Sequence, residues 1–351
     1  MTVSPIVIVG PADDAHVVGV SQRVRTLGAE PVLLDAGRFP SALRVTLGED
    51  LDDVRIDGTH VCPSAVYVRN VGTGALQAAS SAECDSAAQR FQNWLAGRER
   101  ADVLTAMLSR WEHNGVPIYN GLAASPRMTK PFQLALLKEA GLPVPATRWT
   151  NDPDEVHSFA VGGRVAYKPV SGGAATRELA ADDLVPSRLD LLSRAPVTFQ
   201  SLLPGEDIRV YVLDGEVIAA IHIVTGALDF RGHEERCVPI ELPMVVRQQC
   251  IRAAQVVGLR FTGMDLKRDS AGTLRFLELN GSPMFLGFDA RAGTDIAGCL
   301  ATRLVNWLPG TVGARRSGRA CAAPARDTSR SRVPSQGASG SRRARCASPP
   351  G

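Results

Sequence analysis

A chain of 351 residues with 44% hydrophobic and 21% charged residues has the length for two or three domains and the balance of a globular protein, which excludes a fibrous or wholly disordered one. No apolar run reaches the roughly 18 to 20 residues of a membrane span, "MTVSPIVIVG" has neither a charged leader nor a cleavage site, and the seven cysteines are scattered without a CxxC pair, so the expectation is an unexported, cytoplasmic protein with reduced thiols. The net charge of +3 is uneven: residues 311–351 carry nine Arg against Asp327, a charge of +8, which leaves −5 for the remainder.

In chain order, "PIVIVG" predicts a buried strand, "DDAHVVGVSQRVRTLG" a helix closed by Gly28, and "EPVLLD" a second strand. Gly10 lacks the G-x-G-x-x-G spacing, which excludes an ordinary NAD-binding fold. "LRVTLGEDLDDVRIDG" predicts a hairpin, "SAVYVRN" a strand, and Glu83 to Asn114 a long helical region. The strand "VPIYN" then closes an N-terminal α/β domain near Asn120.

"MTKPFQLALLKEAGLPVP" predicts a helix with Phe132, Leu136, Leu137 and Ala140 on its apolar stripe and Gly141 at its end. The strands "RVAYKPV", "VTFQSLL", "DIRVYVLDG" and "EVIAAIHIV" follow, then a helix over about Val245 to Val257. The strands "GMDLKRD" and "TLRFLELN" are joined by the turn "SAG", and a last helix runs from about Thr294 to Trp307. Tight turns between strands predict antiparallel sheets with helices packed on them, an α+β half after the α/β one. The tail, with Pro, Gly, Ser and Ala between its arginines, is expected to be a disordered, non-essential extension, with weak nucleic-acid or acidic-partner binding as the lesser reading.

A period of two puts Leu274, Phe276, Glu278 and Asn280 on one face of their strand, so that oxygen-bearing side chains continue a face that begins as core. Paired as a hairpin with "GMDLKRD", this strand brings Asp265 near Glu278 and Asn280. Two carboxylates and an amide oxygen make a hard-oxygen site for Mg2+, with Mn2+ as an alternative, whose remaining ligands come from water and phosphate. The competing reading is a solvated face, or an Asp265 balanced by Lys267.

Lys168 ends a strand and precedes the small residues Ser171, Gly172 and Gly173, a point charge followed by backbone N–H groups that can approach a phosphate. Lys130 is a second candidate cation. The segment Gln200, Ser201, Leu202 and Leu203 can read an adenine edge through its backbone, Asp207 can accept a ribose hydroxyl, and Arg209 lies two residues on. Arg231 in "ALDFRG" sits among small and apolar neighbours.

The order Lys130, Lys168 with its small-residue loop, Gln200 to Asp207, Arg231, Asp265 and Glu278-x-Asn280 resembles the ATP-grasp superfamily, within it the RimK-type amino-acid ligases with their glutathione synthetase-like fold. The resemblance covers about residues 115 to 308. Thr150 to Pro153 and Tyr67-Val-Arg69 are similar to segments of the ATP-grasp ligases that mature ribosomally made peptides. "SGGAATRE" is less glycine-rich than the family pattern, and Met284 and Phe285 replace frequent small residues after Ser282-Pro283.

The resemblance implies an N-terminal pre-ATP-grasp domain over 1–120 and an ATP-grasp region over 121–309. Within that region it implies a central lid at about 130–200 and a C-terminal domain at about 201–309, followed by the basic tail, 310–351. It implies ATP as the nucleotide, with Lys130 and Lys168 on its phosphates, Gln200 to Leu203 on adenine and Asp207 on ribose. Mg2+ would sit on Asp265, Glu278 and Asn280, and Arg231 on the transferring phosphoryl group. The implied activity is an ATP-dependent carboxylate–amine ligase working through an acylphosphate on an amino-acid, peptide or protein acceptor, in a homodimer or homotetramer and without membrane contact. A non-catalytic ATP-binding regulatory or scaffold protein is the alternative.

Overall fold

A computed structural model of the chain describes residues 4–71, 86–120 and 127–307. The Arg-rich tail, and the start of the helical region expected from Glu83, lie outside the described residues. The first strand, β1 (Ile6–Val9), is buried at every position, as a parallel strand covered on both faces must be. Helix α1 (Ala15–Thr26) begins where Asp14 accepts hydrogen bonds from the His16 and Val17 N–H groups, an N-cap that satisfies donors left free by the helix geometry. The chain returns as β2 (Pro31–Leu34), then makes the small antiparallel sheet β3 (Val45–Leu47), β4 (Val54–Ile56) and β5 (Thr59–His60) before β6 (Ala65–Val68). Helix α2 (Ala87–His113) leads to β7 (Ile118–Tyr119), completing a parallel sheet of order β2-β1-β6-β7. Leu104, Met107, Leu108 and Trp111 of α2 cover one face of that sheet.

Helix α3 (Lys130–Glu139) buries Gln133, Leu134 and Leu137, while Phe132 is 49% exposed. The expected stripe was therefore turned by about one residue. The winning contact is polar: Gln133 Nε2 donates to the Leu279 carbonyl and its Oε1 accepts from the Leu279 N–H, and this pairing with a strand backbone orients the helix. Next come β8 (Thr147–Thr150), α4 (Pro153–Ala160), β9 (Val165–Pro169), β10 (Arg177–Glu178) and β11 (Val197–Ser201), whose strands form an antiparallel sheet of order β10-β9-β11-β8.

The last sheet is antiparallel too, built from β12 (Asp207–Leu213), β13 (Glu216–Val224), β14 (Arg236–Pro239), β15 (Phe261–Arg268) and β16 (Leu274–Asn280) in the order β14-β13-β12-β15-β16. The β12–β13 hairpin turns on Asp214-Gly215, both at positive φ (47° and 80°), the conformation that makes Asp-Gly a strong two-residue hairpin signal. Helix α5 (Met244–Val257) packs on one face of this sheet. On the other face lie α6 (Leu286–Ala292), which the sequence reading did not anticipate, and α7 (Ile296–Val305).

One apolar core joins the N-terminal sheet to the C-terminal one: Ile6, Ile8, Val17 and Tyr67 share it with Tyr211, Ile221, Phe285 and Leu300. Polar contacts fasten the same junction. Tyr119 Oη donates to Asp214 Oδ2 at 2.6 Å, and Arg69 donates to Asp14 (3.0 Å) and to the carbonyl and hydroxyl oxygens of Ser282 (2.8 and 2.7 Å). His16 Nε2 accepts from the Phe285 N–H at 3.0 Å, which requires a neutral ring.

Burial, with Arg69 adding to it and Asp14 opposing, lowers the His16 pKa below its ordinary value. The folded protein thus binds fewer protons here than the unfolded chain, so the stability His16 contributes is complete above about pH 6.5 and is lost as pH falls from there through the lower pKa of the folded state. Protonation leaves the Phe285 N–H facing another donor, a cost of about 1–3 kcal/mol. Melting temperature is therefore expected to fall between about pH 7.5 and pH 5.5, and to fall less in His16→Gln; equal falls would dismiss His16 as the cause.

Candidate active site

Antiparallel register explains why four charged residues end up buried beside one another. Asp207 and Arg209 point to one face of β12, Asp265 and Lys267 to the same face of β15, and the pairing sets Asp207 opposite Lys267 and Arg209 opposite Asp265. Each acid thereby meets a base directly across the ladder: Lys267 Nζ is 2.5 Å from Asp207 Oδ2, and Arg209 Nη1 is 2.5 Å from Asp265 Oδ1. Lys267 therefore does not balance Asp265. The guanidinium of Arg209 also lies over the rings of Tyr211 and Phe288, and it fits only because Gly263 has no Cβ, which would stand 2.6 Å from Nη2.

The β15–β16 hairpin forms as expected, but Glu278 and Asn280 do not share the face of Leu274 and Phe276. Asp265 opposes Glu278 while Leu266 opposes Phe276, so Leu277 is one extra residue, a β-bulge. Before the bulge Leu274 and Phe276 enter the core with Leu266; after it Leu279 does, beside Met264. Leu277 and Glu278 both line the cleft. Glu278 and Asn280 therefore leave the core face and look out beside Asp265.

Asn280 Nδ2 lies 3.4 Å from Asp265 Oδ2 and 3.3 Å from Glu278 Oε1. Amide oxygen and nitrogen are interchangeable by a flip, so this is a cluster of two carboxylates and one amide oxygen, a hard donor set that fits Mg2+ with phosphate and water completing its shell. Among the described residues no three His, Cys, Asp or Glu gather in a metal-binding group; here the third donor is an amide.

Cations face this cluster. Lys130 Nζ is 2.6 Å from Glu278 Oε2, and Lys168 Nζ is 3.4 Å from Gln200 Oε1. Burial works to raise the Glu278 pKa, but the nearby Lys130 and Lys168 outweigh it and hold the carboxyl below its usual range. Asp265 goes the other way: burial raises it, Glu278 adds to the effect, and Arg209 offsets only part. Burial also depresses the Lys168 ammonium. Arg231 sits over the rim, paired with Asp229 and donating to the Ala174 carbonyl at 3.0 Å, while Asp229 accepts from the Thr176 N–H at 2.9 Å. The loop after Lys168 is tied to the Arg231 segment from both directions.

A single solvent-open cleft of about 810 Å³ gathers Lys130, Lys168, Gly172, Gln200, Ser201, Leu202, Leu203, Asp207, Arg231, Asp265 and Glu278. Asn280 reaches it through its two carboxylate partners. Ser171 and Gly173 flank Gly172 in the loop and are not among its lining residues.

Residues 197–304 match the RimK-like ATP-grasp domain. Over 219 residues the chain is 30% identical to a probable alpha-L-glutamate ligase of Thioalkalivibrio sulfidiphilus (strain HL-EbGR7), covering 58% of this chain and 71% of that relative. The chain belongs to the RimK-like ATP-grasp ligase family. Among solved structures, the ATP-grasp ligase PsnB, complexed with a phosphomimetic variant of its minimal precursor, Mg and ADP, superposes on this ATP-grasp ligase with a TM-score of 0.79 at 47% identity, covering 86% of this chain and 98% of PsnB. PsnB complexed with the precursor peptide PsnA2 and AMPPNP gives 0.76 at 46% identity, covering 87% and 98%. The macrocyclase MdnC from Microcystis aeruginosa MRC, bound with its precursor peptide MdnA, shares the fold at 19% identity and a TM-score of 0.70, covering 86% and 100%.

Sequence reasoning missed three roles at the ligase's cleft. Lys267 lines it beside Asp207, Asp229 holds Arg231, and Arg209 clamps Asp265 from beneath. The first and last could have been found by setting D-x-R of β12 against D-x-K of β15 in antiparallel register. Among the described residues no helix is long and apolar enough to cross a membrane.

Proposed function

We propose that this ligase spends ATP to activate a carboxylate of a peptide substrate and joins it to an amine. The γ-phosphoryl group passes to a carboxylate oxygen and ADP leaves; the amine nitrogen then attacks the acyl carbon, phosphate departs, and the nitrogen gives up a proton. Bound Mg2+ would neutralise the phosphate oxygens between which charge moves. Asp265, Glu278 and Asn280 would hold it. Lys130 and Lys168 would bind the phosphates with the backbone of Ser171 to Gly173, Gln200 to Leu203 would cradle adenine, and Asp207 would take a ribose hydroxyl. Arg231 would face the transferring phosphoryl group, and its link to Ala174 would close the loop against water, which would otherwise consume the acylphosphate. We further place the division of the chain at about residue 120, with the lid at about 130–200 and the C-terminal part at about 201–309, in a cytoplasmic protein.

The observation that carries the peptide reading is the 47% identity across 98% of PsnB, a ligase seen with a phosphomimetic variant of minimal precursor, Mg and ADP. Peptides bearing Asp, Glu and Lys side chains, tested with ATP and Mg2+, are expected to stimulate ADP release and to yield a product lighter by one water and stable to mild base. Base-labile product would replace the amine by a hydroxyl acceptor. Stimulation by free glutamate and by no peptide would favour the activity named for the glutamate-ligase relatives, and ATP binding without any stimulated release would favour a non-catalytic role.

A further inference from the structure

Lys267 is 9% exposed and Asp207 7%, and the ion pair they form stands on the wall of the cleft beside Leu203. Burying both charges costs solvation, and an ion pair so placed adds little net stability compared with an apolar pair of the same size. A role in holding one geometry is therefore the better account of it. Among the described residues Lys267 has no other acidic partner: the acid two residues before it, Asp265, is already taken by Arg209. Its partner has nothing else to hold it, because among the described residues the hydrogen bond from Lys267 Nζ to Oδ2 is the only one made to the Asp207 carboxylate. Oδ1 is left for a donor from the cleft.

The wall has a second side. Leu202, Leu203, Asp207, Leu228 and Lys267 also line an outer groove with Arg164, Glu206 and His222. An Asp207 not held by Lys267 could turn toward that groove.

Accepting the ribose reading of Asp207 given above, we propose that Lys267 is a positioning residue for the sugar of the bound nucleotide: it fixes Asp207 so that Oδ1 accepts one ribose hydroxyl, and discrimination between ribo- and deoxyribonucleotides depends on it. Lys267 touches no nucleotide atom in this role. Its contribution appears as selectivity at the sugar.

Calorimetric binding of ADP, 2′-deoxy-ADP and 3′-deoxy-ADP in the presence of Mg2+ tests this with no need for the peptide substrate. In the wild type, one of the two deoxy analogues is expected to bind about 10- to 100-fold more weakly than ADP, the worth of a hydrogen bond to a charged acceptor. In Lys267→Met that penalty should vanish because ADP itself binds as weakly as the analogue, and Lys267→Arg should restore it in part. A wild type that does not distinguish the three nucleotides removes Asp207 from the ribose and the proposal with it. A wild type that does, with an unchanged ratio in Lys267→Met, leaves Asp207 in place and overturns the role of Lys267. Lys267→Gln, which keeps a donor near Asp207, covers a Met variant that fails to fold: its ratio must fall, and a wild-type ratio there overturns the proposal equally.

Discussion

Glu278→Gln is expected to lower substrate-stimulated, Mg2+-dependent ADP release by about 100- to 1000-fold, the scale on which one preorganised electrostatic contact acts in a closed site. The substitution keeps shape and removes one charge. That charge faces two ways, toward the Asp265–Asn280 cluster and toward Lys130 at 2.6 Å. Loss of the first role should raise the Mg2+ concentration needed for half-maximal rate, and loss of the second should weaken nucleotide binding only modestly. Titrating Mg2+ at saturating ATP separates them. Turnover near wild type with an unchanged Mg2+ requirement would remove Glu278 from the metal site.

Arg209→Met should be the most damaging single change to folding in this region. Methionine can fill the space over Tyr211 and Phe288, but it leaves Asp265 buried without its cation, a loss of about 3–5 kcal/mol for breaking one side of a buried pair. Activity should fall as well, because burial already raises the Asp265 carboxyl and removing the Arg209 cation raises it further, which would weaken it in the metal-holding role proposed for it. Denaturant unfolding of Arg209→Met, Asp265→Asn and the double variant gives the coupling directly. The double variant should lose clearly less than the two singles together; strict additivity would mean that the pair does not act as a unit.

Most elements of this fold could be read from periodicity and turn chemistry. Asp214-Gly215 marks its hairpin, Gly141 ends its helix, and the alternating strands of the second half pair antiparallel as their short turns require. That Asp265, Glu278 and Asn280 come together was also legible, from an acid and an amide inside an apolar strand set against its hairpin partner. What could not be read was their direction, because a period of two counts residues and cannot register one that the partner strand does not match. Arg209 and Lys267 escaped for a related reason: their partners lie 56 and 60 residues away in the chain and become neighbours only once β12 and β15 are aligned. Short helix α6 escaped because its seven residues are too few to show a helical stripe.

Leu277 has a consequence for how this hairpin can vary. The turn at Ser270 to Gly272 can gain or lose residues at little cost, since length added there leaves both strands in phase. Between Phe276 and Leu279 the phase depends on Leu277 staying out of the ladder. Were Leu277 paired as an ordinary strand residue, plain alternation would point Glu278 into the apolar core and Leu279 out into the cleft. The outward direction of Glu278 thus rests on an odd number, a parity set by one leucine and enforced by the cost of burying a carboxylate among Phe276, Met264 and Leu266.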